Sequence, residues 1–175
     1  MIFSFLKKIC YTDFIFTILD YFSVIKKKEF IFEWILPLLA GIGTHFLGRT
    51  LCISENFLDS FISTIINVLA ILVGFTIAAI AIFTTADLKN HELLSKKSKR
   101  KIEGKEITYF RFIYINLIFS SVAGLSALSL AVFLLILKSF FIEEIILSIL
   151  VFGILFNILL ALRNISNLYF SWFKQ

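Results

Sequence analysis

Three stretches of this chain carry no charged side chain for long enough to cross a lipid bilayer, and that limits its fold more than any other feature. Residues 60–86 run 27 positions without Asp, Glu, Lys or Arg, residues 112–137 run 26, and residues 145–162 run 18. A helix needs about 20 apolar residues to span the hydrocarbon. The first two runs exceed this. The third reaches it if the helix continues and Tyr169 and Trp172 take the interface. Hydrophobic residues make up 59% of the chain and charged ones 17%, with a mean hydropathy of +0.96. A soluble domain runs nearer half apolar and a quarter charged. An ordinary soluble enzyme, a disordered linker and a secreted disulfide scaffold are excluded.

A fourth run is shorter. Residues 34–48 are uncharged but hold Pro37, Gly41, Gly43 and His45, and extending back to Phe30 brings in Glu33. The basic residues decide whether it crosses. With four spans, 15 of the 17 Lys and Arg fall on one side and two on the other. Omitting the 30–48 span would put Lys7, Lys8, Lys26, Lys27 and Lys28 opposite the basic 87–111 loop, against the positive-inside rule. The sequence therefore predicts an all-α integral membrane bundle, one domain over 1–175. Its spans are 30–48, 60–86, 112–137 and 145–162, and both termini face the cytoplasm, in the manner of a multi-pass bacterial inner-membrane protein.

The first 28 residues do not read as a cleavable signal, because Asp13 and Asp20 interrupt the apolar region. Asp13, Thr17 and Asp20 share a helical face, with Phe14, Ile15, Ile18, Leu19 and Phe22 around the rest. This predicts an amphipathic helix in the cytoplasmic interface, or one packed on the bundle. The 87–111 loop, with Lys96, Lys97, Lys99, Arg100, Lys101 and Lys105, has length for a helical extension and a turn near Gly104. Its lysines are expected to meet anionic lipid or a partner.

Catalytic chemistry is hard to assemble. His45 and His91 fall on opposite sides of the membrane, and Cys10 and Cys52 read as small hydrophobes. No phosphate loop or nucleophile elbow is present. Neither an enzymatic activity nor a cofactor, metal or small-molecule substrate is expected. The polar residues inside the spans are more informative. Asn67, Asn116 and Asn157 lie in different charge-free runs, and an amide in hydrocarbon needs a neighbouring helix or a wet cavity. Asn116 and Asn157 sit at similar depth. Beyond Asn157, the last helix carries Asn164 on the same face and Arg163 and Asn167 on its flank, a face that either lines a path or glues helices. Small residues also recur every four positions, as Ala70, Gly74 and Ala78 and as Ala123, Ala127 and Ala131, which lets helix backbones approach closely.

At Arg163-Asn164 the sequence resembles the small membrane accessory protein of type VI-B CRISPR systems, as it does in length, repeated spans and Phe/Lys-rich composition. That family pairs an Arg, often followed by Asn, with a His after four to six intervening residues, a divergent version of the HEPN ribonuclease motif. Here positions 168–170 read Leu168, Tyr169 and Phe170, so the nuclease pair is absent. The resemblance implies a homo-oligomeric pore that alters membrane permeability once an RNA-guided, RNA-cleaving effector has detected phage RNA. Two other expectations stand beside it: a non-conducting immunity or assembly protein, and a membrane-bound RNA-binding protein.

Overall fold

The computed structural model describes residues 12–51, 55–85, 92–102 and 104–173. Its elements are α1 (Thr12–Val24), a long helix α2, α3 (Glu55–Thr85), the single turn α4 (Glu92–Ser95), strands β1 (Lys97–Ile102) and β2 (Lys105–Thr108), α5 (Tyr109–Ile136) and α6 (Glu143–Phe173). Helix α2 is Lys27–Phe30, a π-helical turn Ile31–Ile35, and Leu36–Leu51 in unbroken succession. Four helices, α2, α3, α5 and α6, are long and apolar enough to cross a membrane. The chain is a helical membrane protein. The shorter 30–48 run forms one helix with its flanks, because Pro37 lies in the second residue after the π-turn, where the ladder is already interrupted.

The helices outrun the charge-free stretches that announced them, and ion pairs explain why. At one end α3 starts before the uncharged run, and its Asp59 takes Lys138 Nζ at 2.6 Å on both carboxylate oxygens. At the other end α6 continues past Arg163, which is neutralised inside the bundle (below). Charge that finds an opposite charge no longer ends a membrane helix.

Helix α2 packs along α6, α3 along α5, and both α5 and α3 touch α6. Gly41 and Gly124 allow the close crossings. A Cβ on Gly41 would meet the Ser148 carbonyl of α6 at 3.0 Å, and one on Gly124 would meet Val73 Cγ2 of α3 at 2.7 Å. The two small-residue rows separate here. Ala131 is fully buried, with Ala123 and Ala127 packed against the core, whereas Ala70, Gly74 and Ala78 face outward from α3.

The basic loop ends in an antiparallel hairpin, a departure from the expected loop. Lys101 pairs with Glu106 and Ile102 with Lys105, and Gly104 turns the chain with φ of +78°, a conformation glycine adopts without strain. Helix α1 is packed on the bundle: Tyr21 and Val24 are buried against α5, Tyr21 stacking on Phe119, while Phe16, Leu19 and Phe22 stay exposed. Residues 1–11, with Lys7, Lys8 and Cys10, lie outside the described residues, as do Cys52 and His91.

A buried polar centre at the hairpin end

The π-turn sets the site. It carries Glu33 into the bundle, where the residue is only 3% exposed, an expensive place for a carboxylate without partners. Arg163 Nη1 donates to both Glu33 oxygens at 2.8 Å, and Tyr21 Oη donates to Oε2 at 2.6 Å. Arg163 Nη2 donates to Asn116 Oδ1 at 2.6 Å, and Asn116 Nδ2 in turn donates to the Phe112 carbonyl. One carboxylate and one guanidinium thus tie α1, α2, α5 and α6 together.

Aromatic faces finish the enclosure. The Arg163 guanidinium lies 5.5 Å from the Tyr21 ring centre and 5.9 Å from that of Phe112, and Arg100 lies over Phe112 at 5.1 Å. The Phe112 ring therefore has a guanidinium from the hairpin and another from α6 as neighbours, an arrangement that suits the negative face of the ring. Burial, then the Glu33 hydrogen bond and carboxylate charge, raise the Tyr21 phenol above its ordinary value, with the Arg163 charge opposing. The phenol stays a proton donor to Glu33.

Each polar residue singled out from sequence now has a place. Asn116 and Arg163 meet in the centre. Asn157, 4% exposed, donates to the Gly153 carbonyl one turn back on its own helix, so it does not need Asn116. Asn164 is buried, and its Nδ2, like that of Asn167, has no hydrogen-bond partner among the described residues. The α6 face expected to line a path between protomers is turned inward instead, because Glu33 draws Arg163 into the bundle. Of its polar side chains, Arg163 makes the hydrogen bonds that cross between helices, to Glu33 and Asn116. Asn67 alone of the set is exposed: it stands near the middle of α3, pointing away from α5 and α6. In the basic loop Lys96, Lys97, Lys101 and Lys105 are exposed, whereas Arg100 turns in; the Lys99 side chain lies outside the described residues.

Glu33 is the member that sequence reading undervalued. It stood only as a charge that weakened the end of a span, since its partner lies 130 residues away. The signal was available: one unpaired acid in one span end and one unpaired base in another, on the same side of the membrane.

No protein-family model, curated protein or solved structure matches this chain.

Proposed function

We propose that this chain is a membrane effector that assembles with copies of itself and alters the permeability of the bacterial inner membrane, in the antiviral setting that its resemblance to the type VI-B accessory proteins implies. The observation that carries the reading is Asn67. It lies on an outward stripe of α3 formed with Ser63, Ala70, Gly74, Ala78 and Ala81, all exposed. An added Cβ at Gly74 would meet nothing within 4 Å. A carboxamide in the middle of a membrane helix needs hydrogen-bond partners that lipid tails do not supply. A second copy of the stripe supplies both the amide and the small residues that allow close approach. The buried charges also argue for several copies, since Arg163 and Glu33 pair with each other inside one protomer and leave no charged path through its described residues. The excess of basic residues at the hairpin end supports a cytoplasmic placement for that end and for both termini. An RNA-guided effector is then a functional partner acting upstream of assembly.

The same internal pairing favours one second reading, a non-conducting membrane immunity or assembly protein. Reconstitution into dye-loaded liposomes separates them. The effector reading expects dye or potassium release by the wild-type chain, lost in Asn67→Leu. Intact oligomers in tight liposomes would favour the second.

A further inference from the structure

Two groups of lysines far apart in sequence share one corner of the fold, and Arg100 is the residue that joins them. From β1, Arg100 Nη1 donates to the Val24 carbonyl at 2.9 Å, at the end of α1, and Nη2 pairs with Glu29. The second Glu29 oxygen accepts the backbone N–H of Lys26 at 3.0 Å. The hairpin is thereby fastened to the turn that carries Lys26, Lys27 and Lys28. Strand alternation then decides which side chains face out. Ser98, Arg100 and Ile102 turn toward the bundle, and Lys97 and Lys101 are exposed, as is Lys105 across the turn.

The corner is positive once its acids are accounted for. Glu29 is taken by Arg100 and Asp20 by Arg111, which leaves Glu106, opposite Lys101 in the ladder, as the exposed acid among the described residues there. Directly beside the lysines the surface becomes apolar. Phe30 and Ile31 open the α2 span exposed, and Phe16, Leu19 and Phe22 lie exposed along α1. Basic groups bordering an apolar band match the sequence of chemistries at a bilayer edge, phosphate and then acyl chain.

We propose that this corner, Lys26, Lys27, Lys28, Lys97, Lys101 and Lys105, is a composite site for anionic phospholipid headgroups in the leaflet at the hairpin end. It stands independently of whether the assembled protein conducts. A nucleic acid would be drawn by the same charge, but base-binding surfaces interleave aromatics with the cations. Residues 92–102 and 104–108 contain no aromatic side chain, and the exposed rings nearby border the membrane-spanning part.

The test uses full-length protein in mixed micelles with equal phosphatidylcholine and phosphatidylglycerol, reading the co-purified lipid by mass spectrometry across a salt series. Wild type is expected to retain phosphatidylglycerol preferentially, less so as salt rises. Gln at 26, 27 and 28, or at 97, 101 and 105, should each reduce that preference, by up to about fivefold per lysine at low salt, and the combined variant should abolish it. Circular dichroism and particle size check that each variant remains folded. Equal retention of both lipids by wild type, or unchanged preference in the combined variant, overturns the site. So does binding of a poly-uridine oligonucleotide that the lysine variants lose while lipid preference stays intact.

Discussion

Arg163 and Glu33, 130 residues apart, meet with both carboxylate oxygens 2.8 Å from one guanidinium nitrogen, and the side chains are 11% and 4% exposed. Neither charge is tolerable alone at that position. Arg163→Ala or Glu33→Leu should therefore lower stability by about 3–5 kcal/mol, the cost of stranding a buried charge. The double variant Glu33→Leu/Arg163→Met should recover part of the loss. Denaturation followed by Trp fluorescence in mild detergent measures both. Equal losses in single and double variants would remove the pair from its central place in the fold.

Tyr21 adds a titration to that centre. Its raised phenol pKa means that the folded chain holds the proton more tightly than the unfolded one does. The contribution is fully present below the ordinary tyrosine value of about 10 and is lost as pH rises beyond it. Stability is expected to fall above pH 10 more steeply in wild type than in Tyr21→Phe, which keeps the ring on Phe119 and lacks the ionising group. Parallel pH curves would contradict the Glu33 contact.

The glycines give a contrast between two surfaces. Gly124→Ala places a methyl 2.7 Å from Val73 Cγ2 and should destabilise the protomer by about 1–3 kcal/mol through overpacking. Gly74→Leu meets open space, so the protomer should hold while the assembled fraction drops. Thermal unfolding and particle size, measured on the same samples, distinguish these outcomes.

The spans were legible because charge in hydrocarbon is costly, so its absence marks where helices cross. The helix ends were less legible, for the same reason in reverse. Asp59, Lys138 and Arg163 lie within or beside the helices because partners neutralise them, and pairing across the chain leaves no local trace. Gly104 announced its turn through the backbone freedom it supplies. The hairpin around it was hidden, since Lys97–Ile102 sets inward Ser98 and Arg100 between outward Lys97 and Lys101 and so lacks the apolar period that marks a strand. The polar residues of α6 stand out in the sequence, yet the direction in which Arg163 points depends on Glu33. The small rows of α3 and α5 look alike in sequence, and only packing shows that one is spent inside the protomer and the other is free on its surface.

Fusion reporters check orientation. A reporter after Lys105 and one after Glu144 are expected to give opposite signals, with the first cytoplasmic. Matching signals would contradict an odd number of crossings between the two sites, where α5 lies.

The central claim, that copies of this chain meet through the Asn67 stripe, is tested most directly by disulfide trapping. In a background with Cys10 and Cys52 replaced by Ser, single cysteines at Asn67, Ala70 and Gly74 are introduced into protein in native membranes, with Leu69→Cys on the buried side of α3 as the control. The account expects oxidation to convert the 20.1 kDa chain into a covalent dimer from the three stripe positions and not from position 69. Monomer at all four positions, in membranes where the protein is abundant, would contradict it.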